Sequence, residues 1–370
     1  MIGKQLQMAC KINSFSAKFF SGIFLSLIFI FSSTFLRAED HTEELPEMEI
    51  TTENDGHETK KFNAGNMILE HVKDAYDWHI MDLNGHPISL PLPVIIYSPE
   101  KGLDIFLSSK FEHGHASYKG YKLENGKIVS EDNVEFYDLS ITKNVAALLL
   151  SIFILCGIFI SVAKAYTTNK GKAPKGLQSF MEPLILFIRD EVAKPSIGHK
   201  YEKFVPYLLS IFFFIWINNT MGLIPIFPFG ANVTGNIAVT LVLAMFTFAI
   251  TLFNSNKNYW AHIFKTPGVP LWLLPIMVPI EIMGLFIKPG VLMLRLFANI
   301  TAGHIIVLSF FSLIFIFAEK SLATGYGVSI VSLAFSLFMN VLELLVAFLQ
   351  AYVFTLLSAL YFGMAVEEHH

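Results

Sequence analysis

The chain of 370 residues is 54% hydrophobic and only 15% charged, with a formal net charge of −4. Soluble globular proteins usually carry about 25% charged residues, so the composition excludes an ordinary soluble domain and predicts an integral membrane protein. Helices and closed β-barrels both satisfy backbone hydrogen bonding in lipid. Apolar runs of twenty or more residues indicate helices, because only helices need runs of this length to span the membrane. We expect no nucleic-acid partner.

Residues 1–38 are organised like a secretory signal peptide. Three lysines precede an apolar stretch of about 17 residues, and Ala38 stands just before an acidic segment. The apolar stretch is short for a membrane helix, which favours cleavage after about Ala38. An uncleaved first membrane helix is the alternative, and on either interpretation the following residues are exported.

Residues 39–140 are predicted to form a small exported domain. Its first third is acidic, which is typical of disorder. Beyond it, the runs 88–98, 102–109 and 121–130 predict a β-rich fold, and Asn125-Gly126 within the last run predicts a hairpin turn.

Histidines are scattered through this exported region: His71, His79, His86, His113 and His115. A metal site is conceivable, but no pair has a recognised ligand spacing. Solvated loop histidines are therefore the favoured interpretation.

The first crossing of the mature chain is predicted at 144–166. The segment 164–203 holds eight Lys or Arg against four Asp or Glu, so the positive-inside rule places it in the cytoplasm. Within it, 177–195 is predicted to be an amphipathic helix along the cytoplasmic face.

Two further crossings are predicted at 204–223 and 236–254. The uncharged loop 226–236 between them is typical of the outer side. The loop after the third crossing carries Lys257 and Lys265 without an acidic residue, which favours the cytoplasm.

The last two predicted helices are longer than an upright crossing. Residues 271–318 are apolar except at Glu281, Lys288, Arg295 and His304. Pro289-Gly290 predicts a break in this helix. The apolar run 328–364 would measure about 55 Å, against a hydrocarbon core of about 30 Å.

We therefore expect two long, steeply tilted C-terminal helices, joined by 318–327, with the C-terminus in the cytoplasm. The predicted fold is an all-α polytopic membrane protein. It has about five membrane helices within 141–366 and a small exported β-rich N-terminal domain.

Arg295 is the most informative residue of the chain. A guanidinium in hydrocarbon costs roughly 2.5–3.5 kcal/mol on insertion scales, and it cannot escape by losing its proton. The default interpretation is an ion pathway or a charge partner on another subunit. The alternative is an arginine that snorkels to the headgroups.

Other polar residues cluster on the same two helices. Arg295 and Asn299 are four apart and share a face, whereas His304 is predicted to face elsewhere. On the last helix Glu343 and Gln350 lie on one stripe, and His304 is the candidate partner for the carboxylate. Glu343 and His304 suit a proton relay, and Arg295 suits an electrostatic barrier. The alternative is that these residues only join helices by hydrogen bonds.

The segment LRLFANITAGHII (294–306) resembles the most specific motif of subunit a of the Fo sector of F-type ATP synthases. Further similarity lies at FIRDEVAKPSIG (187–198), NNTMGLIP (218–225) and LELLVAFLQAYVFTLL (342–357). The resemblance covers roughly 140–365. It implies that Arg295 faces the essential carboxylate of each c-ring subunit, where two offset half-channels meet the ring.

The resemblance implies roles for further residues. Asn299 and Gln350 fall on family polar positions near the arginine. His304 and Glu343 fall on the paired channel positions, in the order that mitochondrial members have and with acid and histidine exchanged relative to one bacterial arrangement.

Three more positions follow from the same resemblance. Asn219 matches a polar channel position. Gly222 stands where some members place an acid, so a second acid is missing there. Glu281 resembles a residue of the cytoplasmic half-channel.

The implied partners are the c-ring, the subunit b stalk, other ATP synthase subunits, the lipid bilayer and protons, in a bacterial inner membrane with the N-terminal domain in the periplasm. The ion is H⁺ in preference to Na⁺. No phosphate loop of the GxxxxGK[ST] type occurs, so we expect a non-catalytic subunit without a cofactor or metal.

Two competing functions remain. A secondary transporter would carry internal repeats and paired broken helices, and no convincing repeat is present. An exported binding domain on a membrane anchor would leave Arg295, His304 and Glu343 without a role.

Overall fold

The computed structural model describes most of the chain after residue 72. The described residues are 64–65, 68, 73–83, 86–114, 116–124, 126–132, 134–168, 173–224, 228–265 and 271–367. The predicted signal peptide 1–38 and the acidic stretch after it lie outside these residues, as do His71 and His115.

Among the described residues, seven short strands precede the long helices. They are β1 (Asp77–Leu83), β2 (His86–Pro91), β3 (Pro93–Ser98), β4 (Gly102–Leu107), β5 (Tyr121–Glu124), β6 (Lys127–Ser130) and β7 (Tyr137–Asp138). All pairs are antiparallel: β1 with β2, β5 with β6, and β3 between β4 and β7. A 3-10 helix, Ser108–Gly114, follows β4.

Prolines divide the apolar run 88–98 into two strands of different sheets. Pro91 ends β2 and Pro93 begins β3, and neither has an N–H to donate to a ladder. Leu92 between them donates its amide to the Ser108 hydroxyl at 3.1 Å and to the Tyr76 carbonyl oxygen at 3.3 Å. The chain therefore changes sheet at this point.

Eight α-helices follow in the described part of the chain. They are α1 (Lys143–Thr168), α2 (Leu177–Phe187), α3 (Lys194–Ile197), α4 (Tyr201–Leu223), α5 (Ile237–Phe253), α6 (Lys257–Phe264), α7 (Leu274–Lys320) and α8 (Leu322–Val366). A π-helix, Ile188–Ala193, joins α2 to α3, and short 3-10 turns precede α4 and α7.

Four helical stretches of the described residues are long and apolar enough to cross a membrane: Lys143–Thr168, Leu177–Leu223, Leu274–Lys320 and Leu322–Val366. A fifth candidate is the pair α5 and α6, which are bent by 102° at their junction. The prediction of a helical polytopic membrane protein is confirmed. The main hydrophobic core joins α1, α2, α4, α7 and α8.

The helix predicted at 177–195 is not one regular α-helix. α2 ends at Phe187 and passes into the π-helix, and α3 ends where Gly198 adopts a φ of 72°. Glycine adopts this conformation without the steric cost that other residues meet, so the chain can turn there into α4.

The predicted break at Pro289-Gly290 is wrong, because α7 continues through both residues. A proline removes one backbone donor, but neighbouring helices compensate for this in membrane proteins. Leu285 and Leu292, on either side of the proline, are both buried. Their packing on one side of the helix holds α7 together.

The predicted connection 318–327 is also shorter than expected. Only Ser321 separates α7 from α8. A Cβ at Gly325 would lie 2.8 Å from the Ala318 Cβ, so the close return of the chain requires glycine there. The two helices, of 47 and 45 residues, would each be about 70 Å long and cannot stand upright in a core of about 30 Å.

Gly363 tests how the end of α8 packs on α3. A Cβ at this position would overlap the Ser196 carbonyl oxygen, which is backbone and cannot move aside cheaply. We expect Gly363→Ala to destabilise the fold by about 1–3 kcal/mol, measured as a lower thermal unfolding midpoint in detergent.

The control for this change is Gly327→Ala on the same helix. A Cβ at Gly327 meets nothing within 4 Å, so the midpoint should stay or rise. Equal midpoints for the two variants would contradict the close packing of α8 on α3.

Candidate functional site

The long helices α7 and α8 form an antiparallel hairpin that carries most of the predicted site. A Cβ at Gly303 would overlap the carboxylate of Glu343, so the side chain of the glutamate lies directly against α7. Phe310 stacks on Phe335 with ring centroids 5.5 Å apart. In this register, α7 residues before Gly303 face α8 residues after Glu343.

Arg295 lies on the exposed side of α7, near the middle of its 47 residues. Asn299 is exposed with it, whereas Leu292, Leu296 and Ile300 are buried. The shared face predicted for Arg295 and Asn299 is present in the structure. The distance from both helix ends weighs against a snorkelling arginine.

The guanidinium of Arg295 has no carboxylate partner among the described residues. The ion pairs of Lys101, Lys119, Lys122 and Arg189 each join an acidic residue outside the hairpin. Exposed apolar side chains surround Arg295, among them Val291 and Leu294 on its own helix. The surface therefore presents one unpaired cation on an apolar face.

The polar stripe of α8 points into the protein. Ser336, Glu343 and Gln350 are spaced by seven and all three are buried, with Glu343 and Gln350 each 9% exposed. Neither Arg295 nor Asn299 forms a hydrogen bond with Gln350 in the described structure. Arg295 and the polar stripe of α8 therefore lie on different sides of the hairpin.

Asn219, near the end of α4, reaches this stripe. Its amide nitrogen donates to the Ala347 carbonyl oxygen at 3.4 Å, one helical turn from Glu343. Its amide oxygen accepts a hydrogen bond from the Thr234 hydroxyl. Sequence reasoning missed Thr234, whose only signal was a polar residue in an uncharged loop.

His304 lies against α4 and not on the carboxylate. A Cβ at Gly222 would be 3.6 Å from His304 Nε2 and 3.3 Å from the Ala231 carbonyl oxygen, so glycine leaves room for the imidazole. No ion pair joins His304 to Glu343 in the described part of the chain. The predicted direct pairing is therefore not made, although Gly303, next to His304, contacts Glu343.

A second polar group lies between Arg295 and the C-terminal end of α8. The Lys288 ammonium is 5.8 Å from the centroid of the Tyr361 ring, and both side chains line one small cavity with Tyr259. Glu281 lies on the same helix as Lys288, about two turns before it. The tyrosines were missed because an aromatic residue in an apolar run resembles core.

The β-strand region docks on the opposite end of the helices. Trp78 of β1 packs on the start of α1 and on the loop before α5, at Ala147, Leu148, Ala231 and Val233. Ala231 is the residue whose carbonyl contacts Gly222, beside His304. The strands therefore reach the neighbourhood of the polar site.

Asp74 joins the strands to the first turn of α1. Its carboxylate accepts hydrogen bonds from the amides of Ala75 and Asn144 at 3.0 Å and from the Thr142 hydroxyl at 2.7 Å. Burial raises the pKa of Asp74 above its ordinary value, and these donors oppose that shift. The aspartate acts as a cap on α1 from 70 residues upstream.

Among the described residues, no group of three His, Cys, Asp or Glu side chains could hold a metal ion. The side chains of His79, His86 and His113 lie outside the described part of the structure, so the interpretation of these histidines stays a prediction.

Comparisons with known proteins match both parts of the chain. Residues 145–363 match the family described as the ATP synthase A chain, and residues 67–146 match a domain of unknown function. ATP synthase subunit a 2 of Chlorobaculum tepidum is 49% identical over 240 residues, 63% of this chain and 65% of the relative.

Two further relatives have the same kind of name. ATP synthase subunit a of Chloroherpeton thalassium is 47% identical over 241 residues, 63% of this chain and 69% of the relative. ATP synthase subunit a of an Anaeromyxobacter species is 37% identical over 318 residues, 83% of this chain and 72% of the relative. The chain thus spans less than two thirds of the length of the first relative.

The hydrogen bond between Thr234 and Asn219 can be tested through stability. We expect Thr234→Val to leave the buried Asn219 oxygen without a donor and to cost about 1–3 kcal/mol, measured as a lower thermal unfolding midpoint. Thr220→Val is the control, since the Thr220 hydroxyl only bonds the Trp216 carbonyl within its own helix. An equal loss in both variants would contradict the role of Thr234.

Proposed function

The chain belongs to the ATP synthase A chain family, and from this premise we propose that it is the proton-translocating stator subunit of a rotary ATP synthase. The observation that carries the proposal is the unpaired Arg295 on the exposed apolar face of α7. A permanent charge at such a site needs a carboxylate on another subunit. The partner with that chemistry is a c-ring whose subunits each carry one acid.

Arg295 would separate two proton paths. A ring carboxylate that arrives beside the guanidinium is stabilised in its charged form and releases its proton. Arg295 itself cannot accept that proton, so it blocks direct passage between the paths. Net flow would then require the ring to turn.

The two polar groups suit the two half-channels. Asn219, His304 and Glu343 lie at the end of the helices on which the strands dock, and they would serve the exported side. Glu281, together with the Lys288–Tyr361 group, would serve the cytoplasmic side.

Asn299 and Gln350 lie on α7 and α8 near the depth of Arg295. Asn299 shares the exposed face of Arg295 and would provide a polar contact where the ring passes the arginine. Gln350 is buried on the inner side of the hairpin and would belong to the polar stripe that lines the proton path.

Charge and contacts support the proposed sidedness. The end of α8 packs on α3, and the Asn256 amide donates to the Ala365 carbonyl oxygen at 2.8 Å. α3 and the start of α4 at that end belong to the basic segment 164–203, which the positive-inside rule assigns to the cytoplasm. We therefore assign the C-terminus to the cytoplasm and the strands to the periplasm of a bacterial inner membrane.

The proposed partners are the c-ring, the subunit b stalk and the other subunits of the synthase. The subunit would be non-catalytic, with nucleotide chemistry elsewhere in the complex. A self-sufficient secondary transporter is not favoured, since the relatives are named as ATP synthase subunits.

Arg295→Lys tests the fixed charge. A lysine in an apolar site can lose its proton and would no longer block passage, so proton-driven ATP synthesis should be abolished. The measurement is ATP synthesis by reconstituted complex under an imposed proton gradient. Arg189→Lys is the matched control, because Arg189 already has a carboxylate partner in the neighbouring Asp190.

Normal synthesis in the Arg295→Lys complex would overturn the assigned role. The control separates a loss of the fixed charge from a general effect of exchanging guanidinium for ammonium.

The docked strands would cover the exported-side path. Trp78 holds the loop before α5, and the same loop supplies Thr234 to Asn219. We expect Trp78→Ala to loosen this loop and to lower the rate of proton-driven synthesis several-fold while the complex still assembles. The control is Tyr97→Ala, which alters an exposed ring of the same domain. Equal rates for the two variants would contradict a link between the strands and the path.

A further inference from the structure

The sheet formed by β3, β4 and β7 has two sides of different character. Its third strand continues beyond β7, because the amides of Leu139 and Ile141 donate to the Ile95 and Pro93 carbonyl oxygens at 2.8 and 3.0 Å. Side chains alternate between the two sides of a strand. The register therefore puts every second residue on one side, beginning with Pro93 on β3, Leu103 on β4 and Tyr137 on the third strand. We call this side the outer sheet face.

All residues of the outer sheet face are apolar or tyrosine. The most exposed side chains are Leu103 (58%), Ile105 (61%), Leu107 (49%), Tyr97 (44%) and Tyr137 (43%). The two tyrosine rings stack with centroids 6.4 Å apart. A contiguous exposed patch of this kind indicates a contact with another apolar surface.

The charged residues of the same strands lie on the opposite side. Asp104 and Asp138 both stand opposite Ile96, whose side chain is fully buried. Asp104 forms an ion pair with Lys119, and Asp138 accepts a hydrogen bond from the Tyr76 hydroxyl. An antiparallel sheet with one side in water carries its polar residues on the wet side. This sheet has the reverse pattern, so its outer sheet face suits an apolar environment.

The outer sheet face begins close to the start of the first membrane helix. Ile141 lies two residues before α1, so its Cα is within about 7 Å of the Lys143 Cα. The uncharged run between Lys143 and Lys164 would be about 30 Å long, which matches the hydrocarbon core. Lys143 thus marks the boundary between hydrocarbon and headgroups, and the near end of the outer sheet face lies at that boundary.

The size of the outer sheet face favours lipid over a folded protein. Three strands about 4.8 Å apart, each with five residues at about 3.4 Å, have an area of roughly 250 Å². A stable protein interface buries about 800 Å² on each partner. A lipid contact has no such minimum. Tyrosine also suits the headgroup boundary, because its ring is apolar and its hydroxyl is polar.

We propose that the outer sheet face lies on the membrane surface, where its side chains contact lipid between the headgroups and the acyl chains. The strand region is then held by α1 at one end and by lipid along the sheet. The contact depends on apolar area and not on a particular headgroup. It also does not depend on which side of the membrane the strands occupy or on the proton path, so it can fail separately from the proposed function.

The test measures the surroundings of residue 105 in the full chain. Ile105→Cys is combined with Cys10→Ser and Cys156→Ser, labelled with bimane and reconstituted in phosphatidylcholine vesicles. One quencher is lipid with a nitroxide near the top of the acyl chain, and the other is iodide on both sides of the membrane. Lys127→Cys, an exposed site of β6, is the control. At residue 105 we expect several-fold stronger quenching by lipid and several-fold weaker quenching by iodide.

Two results would overturn the proposal. A label that iodide reaches and lipid does not would place the outer sheet face in water. A label that is shielded from both quenchers would show that protein covers it, either a second copy or another subunit.

A second pair of variants tests whether the apolar side chains make the contact. Leu103→Asp/Leu107→Asp puts two charges on the outer sheet face at positions about half exposed, so folding should be unaffected. We expect lipid quenching at residue 105 to fall several-fold. Lys110→Gln/Lys127→Gln lowers the net charge equally at exposed sites and should leave the quenching unchanged. Equal quenching in the two double variants would contradict the proposal.

Discussion

The structure depends on where one permanent charge can be tolerated. The Arg295 guanidinium cannot be neutralised, and the described chain supplies no carboxylate to it, yet it lies in the middle of an apolar helix. The hairpin of α7 and α8 leaves that side chain on its outer face and buries the polar stripe of α8 on its inner side. The outer face is thereby incomplete as an isolated surface, whereas the polar stripe of α8 is buried within the chain.

Glycines allow the helices of the membrane domain to pack closely. Glycines stand where helices approach most closely: Gly303 against Glu343, Gly222 beside His304 and Gly325 at the turn. In hydrocarbon there is little hydrophobic gain from pairing helices, so small residues and hydrogen bonds hold them. Asn219 is an example, since it bonds both the backbone of α8 and the loop before α5.

Much of this arrangement could be predicted from sequence. Apolar run lengths predicted the long C-terminal helices, and helical spacing predicted the shared face of Arg295 and Asn299. Local rules failed where tertiary packing prevailed. The Pro289 signal for a break was overridden by buried Leu285 and Leu292, and the polar stretch 318–327 was absorbed into helices because Gly325 permits a sharp return.

The site was harder to predict because it depends on contacts between distant segments. Chemical type alone suggested that His304 and Glu343 pair, but spacing along one chain does not tell which helix each side chain faces. The imidazole packs on α4 at Gly222, a contact across more than 80 residues. Thr234 and Tyr361 could not be singled out, since hydroxyl groups are common in helices and loops without function.

The cap that Asp74 places on α1 bears on the order of events during biogenesis. The first turn of this helix has no partner for its Asn144 amide other than a residue 70 positions upstream. That partner reaches the helix only once the strands β1 to β7, which lie between the two residues in the sequence, have folded. The first turn of α1 is therefore completed only after the strand region has formed, which couples the folding of the two parts of the chain.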